Sequence, residues 1–289
     1  MPVEHRYRLE EIAIFAMLAL LNLLILVFAR SADATLAFYQ NCALAAAVFA
    51  VARLHRYRGG MIIAFIRDWY VLPLLLFIYM EHKVLIPLIN PHDVDDLLII
   101  LDRLLFFGHD PTVLMEKIML PPLTELAQIV YASFYFLPLT LCVLAWRRDR
   151  EVTFHVVAST ILIGFFVSYA GYYLTPALGP RFTLAHLQGA PLTGVLTFDI
   201  IRSSLDAAEG IMRDCCPSGH VMISMLTILL ARRIGSRFFI PVIAWTLLLS
   251  FSTVYLRYHY VVDLIAGVGL AFVVHLFVPA IERFVVSRK

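Results

Sequence analysis

The stretch RDCCPSGHVM, residues 213–222, places a serine, a glycine and a histidine directly before a long apolar segment. Ser218 is a residue type that caps helix N-termini, and Gly219 lets the backbone approach a neighbour closely. The free N–H groups of a first helical turn attract anions. His220 would project from that turn and can donate a proton to a phosphate ester oxygen. The stretch therefore predicts either a capped helix with a polar neighbour or a phosphate site.

The composition around this stretch is that of an integral membrane protein. The chain has 289 residues, of which 61% are hydrophobic and 15% charged, and its mean hydropathy is +0.85. Soluble domains are about half apolar and a quarter charged. The formal net charge of +2, without a basic tract, argues against a nucleic-acid partner. The four cysteines predict no disulfide framework, because two lie inside apolar runs and Cys215 and Cys216 are adjacent.

Eight apolar segments reach or approach the length of about 20 residues that a membrane-spanning helix needs. They are 11–29, 36–54, 69–89, 123–146, 154–175, 220–234, 238–256 and 260–281, and they predict an all-α membrane bundle. We interpret the first as an uncleaved anchor, because its apolar stretch is longer than a signal-peptide core. The aromatic run YASFYFLP at 131–138 is interpreted as helix packing and interface anchoring.

Basic residues are concentrated at alternate segment ends, which sets the orientation. Lys and Arg favour the cytoplasmic side of a membrane. The residues assigned to that side are Arg6, Arg8, Arg53, Arg56, Arg58, Arg67, Arg147, Arg148, Arg150, Arg232, Arg233, Arg237, Arg283, Arg288 and Lys289. This predicts a multi-pass plasma (inner) membrane protein with both termini in the cytoplasm and RDCCPSGHVM on the periplasmic or extracytoplasmic side.

Two long outer loops, 90–122 and 176–219, separate the apolar segments. In the first loop, a run of aspartates favours a helix start, and Asp110 followed by Pro111 predicts a second one. Both pieces are too short or too charged to span, so they predict short interfacial helices. The same loop leaves open a metal site formed by His92, Asp93, Asp95 and Asp96.

A second polar group lies in STVYLRYHYVVDLIAG, residues 252–267. His259 and Asp263 are four apart, so they share a face at the start of a helix. The carboxylate can fix one imidazole nitrogen as N–H and leave the other as a nucleophile or base. Arg181, at the end of another span, would emerge on the same side, and arginine binds phosphate oxygens. The alternatives are a structural His–Asp bond and an arginine that only anchors the interface.

Together these residues resemble the type-2 phosphatidic acid phosphatase superfamily, which includes vanadium haloperoxidases. Its pattern is Lys-x6-Arg-Pro, Pro-Ser-Gly-His and Ser-Arg-x5-His-x3-Asp. The second part matches fully at 217–220, and the third matches at Ser252, His259 and Asp263. The departures are Leu174 in place of the lysine, Phe182 in place of the proline, and Thr253 in place of the arginine.

The resemblance implies a role for each matching residue. His259 would be the nucleophile that becomes phosphohistidine, Asp263 would orient it, and His220 would protonate the leaving group. Arg181, Ser218 and Gly219 would bind the phosphate, Arg257 would restore one missing positive charge there, and no metal or other cofactor would be needed. The resemblance also implies a six-helix catalytic membrane domain, residues 61–289, preceded by two additional transmembrane helices in residues 1–60.

Three functions remain open. The first is a lipid phosphatase that acts on a lipid phosphate in the bilayer. The second is a lipid head-group phosphotransferase, because YLRYHYVVDLIAG with Thr253 also resembles inositol phosphorylceramide synthases, whose phosphodiester substrates carry less charge. A transporter is the third, and it predicts polar residues in the middle of several spans. Segment 220–234 favours a lipid substrate, since its length of about 22 Å falls short of an apolar core of about 30 Å and leaves His220 below the surface.

Overall fold

The computed structural model describes residues 7–29, 31–150 and 152–287. Over these residues the chain is helical, with no strand and with three short 3-10 turns at Met115–Ile118, Ser133–Tyr135 and Ala185–Leu187. The helices are α1 (Leu9–Phe28), α2 (Ala32–Arg58), α3 (Met61–Trp69), α4 (Val71–Ile89), α5 (Asp95–Leu105), α6 (Pro111–Leu114), α7 (Pro121–Ala132), α8 (Phe136–Arg148), α9 (Thr153–Leu174), α10 (Pro180–Thr183), α11 (Phe198–Glu209), α12 (Gly219–Ile234), α13 (Ser236–Tyr255) and α14 (Val261–Ser287).

Seven described stretches are long and apolar enough to cross a membrane, which confirms the predicted all-α membrane fold. They are Leu9–Phe28, Ala32–Arg58, Met61–Ile89, Pro121–Arg148, Thr153–Leu174, Arg237–Tyr255 and Val261–Val278. The predicted span 69–89 starts earlier than expected, at Met61, because α3 and α4 follow each other directly. The predicted span 123–146 is two helices joined at Ser133–Tyr135, where Pro138 cannot donate a backbone hydrogen bond to Phe134.

The eighth predicted segment is α12, which is apolar but too short to count as a full span. It packs against α8, α9, α13 and α14, so it lies at the centre of the bundle. Gly235, with φ of +139°, ends α12, and α13 begins at the next residue. The 16 residues of α12 extend about 24 Å. This length is less than the thickness of a bilayer core, which is about 30 Å. When the C-terminal end of α12 reaches one surface of the core, its first turn therefore lies below the other surface.

The N-terminal helices pack on the rest of the bundle through α9. Helix α1 packs against α2, α4 and α9. Leu18 and Leu21 of α1 are buried in one apolar cluster with Ile78 of α4 and Leu162 of α9. These helices therefore cover one side of the bundle and are continuous with its core.

A network of ion pairs closes the end of the bundle opposite the start of α12. Asp68 is buried and accepts hydrogen bonds from Arg8 (2.8 Å), Arg150 (2.5 Å) and the Trp146 indole (2.9 Å). At the same end, Arg148 donates to the carbonyl of Ile234 at the end of α12. These arginines belong to the group predicted to be cytoplasmic. Of that group, Arg6, Arg288 and Lys289 lie outside the described residues, as does Arg30 of the opposite side.

The two short helices predicted in the first outer loop are present as α5 and α6. Asp110 lies at the N-cap position of α6 and Pro111 is its first residue, as predicted. The Asp110 carboxylate binds Arg103 at 2.9 and 3.0 Å, however, and makes no capping bond to the helix. Helix α5 leaves Leu97, Ile100 and Leu104 between 55% and 73% exposed, while its other face contacts α14.

Candidate active site

The turn between α13 and α14 positions His259. The carbonyl of Thr253 accepts backbone hydrogen bonds from Tyr258 (2.9 Å) and His259 (3.2 Å), so the chain reverses tightly after α13. Nδ1 of His259 lies 3.3 Å from Oδ2 of Asp263 in the first turn of α14, and both side chains are buried. The predicted His–Asp pair is thus assembled. In the neutral ring, with Nδ1 donating to the carboxylate, Nε2 is the nitrogen that carries the lone pair.

The surroundings of His259 favour its charged form. Burial alone would lower the pKa of this imidazole, but the carboxylates of Asp263 and Asp214 outweigh it, and the pKa of His259 lies above its usual value. The same carboxylates would stabilise a positive charge that develops on the ring when Nε2 reacts with an electrophile.

Helix α14 also fixes the start of α12. Ser218 caps α12 by accepting a hydrogen bond from the N–H of Val221, as predicted, and its own N–H donates to the carbonyl of Asp263 at 3.1 Å. A side chain at Gly267 would lie 2.6 Å from the carbonyl oxygen of Ser218, so only glycine allows this approach. Gly219 packs equally closely on α9, where a side chain would meet the Tyr172 hydroxyl at 2.6 Å.

His220 is held by aromatic rings near His259. Its ring stacks on Tyr131 with centroids 4.6 Å apart and contacts Phe134 at 4.4 Å. The ring centroids of His220 and His259 are 5.7 Å apart. Nε2 of His220 is buried and makes no hydrogen bond with any described residue. This nitrogen is therefore available to a bound molecule.

A polar cavity of about 320 Å³ connects the predicted groups. Arg181, His220 and His259 all line it, and Asp263 lies directly behind His259. Arg181 is already neutralised, because its guanidinium binds both oxygens of Asp206 on α11 at 2.6 and 2.7 Å. Three residues predicted from separate parts of the sequence thus face one space.

An apolar cavity of about 390 Å³ lies beside the polar one. Its walls come from α4, α8 and α9, among them Leu75, Leu139 and Phe165, and Leu205 and Ala208 of α11 cover one side. Gly219 and His220 also line it. Two residues, Asp214 and His220, line both cavities.

Arg257 does not lie where the predicted phosphate contact requires it. Its guanidinium binds Glu116 at 2.7 Å and the carbonyl of Ala190 at 2.6 Å, and it is absent from the lining of the polar cavity. Its φ of +67°, in the left-handed region, turns the side chain away from that of His259. The structure therefore does not bring Arg257 together with Arg181, His220 and His259.

Helix α5 holds two turns of the candidate site through its carboxylates. Asp95 accepts the N–H groups of Leu178 and Gly179 and the hydroxyl of Tyr260, each at 2.8 Å. Asp102 accepts the N–H groups of Val261 and Val262, the first residues of α14, at 3.0 and 2.8 Å. These bonds fix the turn before Arg181 and the turn that carries His259.

The metal site considered for the first outer loop is not formed. Asp93 is bound to Arg213 at 2.6 Å, and Asp95 is occupied by the donors just described. Among the described residues, the grouping of possible metal ligands lies elsewhere, at Cys215, His259 and Asp263. The acidic run thus serves the packing of the outer turns.

Three further residues of the site were missed in the sequence. Asp214 lines both cavities and accepts a hydrogen bond from Tyr79 at 2.6 Å, and burial raises the pKa of its carboxyl. Tyr131 and Phe134 hold the His220 ring, although the aromatic run 131–138 was assigned to packing and anchoring. The available signal was the spacing of three between Tyr131 and Phe134, since residues three apart lie on one side of a helical turn.

Comparisons with known proteins identify a relationship at the level of a family. A model of the PAP2 superfamily matches residues 96–277, which is more than half of the chain. The comparisons with curated proteins and with solved structures found no significant match. The matched range begins in α5 and includes Arg181, His220, His259 and Asp263.

Proposed function

Because this chain belongs to the PAP2 superfamily, whose members are phosphoesterases, we propose that it is a membrane lipid phosphatase acting through a phosphohistidine intermediate. His259 is the nucleophile and Asp263 orients it. His220 is the general acid, and Arg181 with the first turn of α12 at Ser218 and Gly219 receives the phosphate. This assignment rests on the resemblance, on the spacing of the motifs and on the convergence of these residues around one cavity.

One observation carries the lipid assignment: the polar and apolar cavities share His220 and Asp214 as lining residues. A substrate with its phosphate beside His259 and its ester oxygen beside His220 would extend its remaining part into the apolar cavity. That cavity lies between membrane-spanning helices and is lined mainly by leucine and aromatic side chains. A lipid phosphate ester has this combination of a charged head and a hydrocarbon tail.

The proposed reaction has two steps. Nε2 of His259 attacks phosphorus, the P–O bond to the lipid breaks, and His220 gives its proton to the departing alkoxide. A water molecule then attacks the phosphohistidine, the P–N bond breaks, and His220 takes a proton from that water. Inorganic phosphate leaves, and both histidines return to their starting states.

The placement in the cell is also a proposal. We propose that both termini are cytoplasmic and that the site opens on the periplasmic or extracytoplasmic side of the plasma (inner) membrane. The arginines around Asp68 and at the end of α12 support this, since they lie opposite the catalytic end. Residues 1–60 are proposed as an addition to a catalytic domain formed by residues 61–289.

The charges of the polar cavity favour a second candidate, a head-group phosphotransferase resembling inositol phosphorylceramide synthase. Among the residues that line this cavity, Arg181 is paired with Asp206, and Asp214 adds another carboxyl group. Leu174 and Thr253 supply no charge at the two positions where the family pattern has cations. A phosphodiester carries one negative charge, so it is repelled less in such a cavity than a monoester dianion.

Substitution of Leu139 tests the apolar cavity. Leu139→Trp would fill space where the tail binds, so we expect KM to rise at least about tenfold for long-chain lipid phosphates, while turnover of a short-chain soluble phosphate ester is retained. Leu137→Trp is the matched control, because Leu137 lies on the same helix but lines a different cleft. Kinetic measurements give KM for the long-chain lipid phosphates in mixed micelles and the turnover of the short-chain ester. Equal effects of the two variants, or an equal loss on both substrates, would contradict a tail site here.

Product analysis separates the two candidates. We expect the purified protein to release inorganic phosphate and the lipid alcohol from lipid phosphate monoesters, measured by mass spectrometry. The same assay is run with phosphatidylinositol, with and without ceramide. Diacylglycerol that appears only with ceramide, together with a new phosphodiester lipid and without phosphate release, would replace the phosphatase with the transferase.

A further inference from the structure

The thiol of Cys215 has no part in the proposed reaction, yet it lies against the His–Asp pair. Its Sγ donates a hydrogen bond to Oδ2 of Asp263 at 2.9 Å and lies 3.7 Å from Nδ1 of His259. The third separation, between Nδ1 and Oδ2, is 3.3 Å. All three side chains are at most 5% exposed. A thiol, an imidazole and a carboxyl group thus form a compact buried triangle.

These three donors form a ligand set suited to a soft divalent cation. Catalytic zinc sites use three protein ligands drawn from Cys, His and carboxylates, and they leave a fourth position open. Bond lengths of about 2.0 to 2.3 Å place neighbouring ligand atoms of a tetrahedral site about 3.3 to 3.7 Å apart. The separations of 3.3 and 3.7 Å lie in this range. The Sγ–Oδ2 separation of 2.9 Å must widen by about half an ångström, which rotation of the two side chains can supply.

Two further features make the triangle available to an ion. Oδ1 of Asp263 is buried and makes no hydrogen bond with any described residue, so this carboxylate has unused acceptor capacity. Cys215 and His259 line the polar cavity, with Asp263 behind them, so the cavity provides an entry path. The adjacent thiol of Cys216 is also buried but is not part of the triangle.

We propose that Cys215, His259 and Asp263 form a binding site for Zn²⁺ or Cd²⁺, and that an ion bound there inhibits the enzyme. The metal binds the thiolate, a carboxylate oxygen and the lone pair of Nδ1. The thiol proton is released to solvent, and the imidazole proton moves from Nδ1 to Nε2. Nε2 then lacks the lone pair needed to attack phosphorus. The inhibitory part rests on the proposed role of His259, whereas binding of the ion does not.

Spectroscopy of the full-length protein in detergent tests the binding directly. Cd²⁺ bound to a thiolate gives an ultraviolet charge-transfer band, which we expect for the wild type and for Cys216→Ser, the matched control. Cys215→Ser should lack the band, with thermal unfolding used to verify its fold. A band of equal intensity in Cys215→Ser, or its loss in Cys216→Ser, would overturn the site.

Inhibition is measured separately with Zn²⁺ and a chelator. Each variant is compared with its own zinc-free rate, and the Zn²⁺ concentration for half inhibition should rise at least about tenfold in Cys215→Ser but stay constant in Cys216→Ser. Chelation should restore the wild-type rate. A Cd²⁺ band without inhibition would overturn the inhibitory role alone. A band in a protein that hydrolyses no lipid phosphate would leave the site standing and count against the proposed function instead.

Discussion

The His259→Asn variant is expected to lose lipid phosphatase activity by at least about 10³-fold while its fold is kept. Asparagine can still donate a hydrogen bond to Asp263, so the buried carboxylate keeps a partner. It cannot accept a phosphoryl group in place of Nε2. Release of phosphate from a lipid phosphate is the activity measurement, and the unfolding midpoint in detergent monitors the fold.

Trapping of the phosphohistidine intermediate is a second test of the His259→Asn variant. Acid-labile phosphate should attach to the wild-type protein in a rapid quench with labelled substrate and should be missing from His259→Asn. His186→Asn is the control, because His186 is exposed in the outer loop and outside both cavities. Near-wild-type turnover by His259→Asn would exclude the phosphohistidine mechanism.

The second large effect is expected at His220, and it depends on the leaving group. His220→Gln should lower kcat by about 10²- to 10⁴-fold for a lipid phosphate, since the departing alkoxide must receive a proton. An aryl ester such as p-nitrophenyl phosphate has a leaving group that is stable as an anion, so it departs without receiving a proton. The first step should therefore be affected far less with the aryl ester.

The same variant should also accumulate the intermediate. Attack of water on phosphohistidine needs a base, and His220 is the residue proposed for it. We therefore expect a burst of nitrophenol of about one equivalent followed by a slow steady rate. Equal losses with the lipid and the aryl ester, and no burst, would show that His220 only supports packing between Tyr131 and Phe134.

The sequence predicted the features of the site that depend on short spacing. Ser218 as a helix cap follows from residue type, and the pairing of His259 with Asp263 follows from four residues of helix. The bundle follows from apolar segments of membrane-spanning length. Each of these features depends on one helix and its immediate flanks, so a single chain without coordinates is enough to predict it.

The missed features depend on turns and on residues distant in sequence. Arg257 is only two residues from His259, but a left-handed backbone at Arg257 directs its side chain to Glu116. Asp102 caps a helix that begins at Val261, and no periodicity connects positions so far apart. Tyr131 resembles any other interfacial tyrosine until the stacking on His220 is known.

The hydrogen bonds from α5 to the turns of the candidate site connect that site to the state of the surrounding bilayer. Helix α5 binds both turns through Asp95 and Asp102 and exposes Leu97, Ile100 and Leu104 on its other side. Apolar side chains on one exposed face are typical of a helix that lies in the headgroup layer of a bilayer. Lateral pressure or curvature that shifts α5 would then also shift the backbone on either side of His259. The lateral pressure and curvature of the bilayer would thereby change the rate of the proposed reaction, even at a constant amount of substrate in the bilayer.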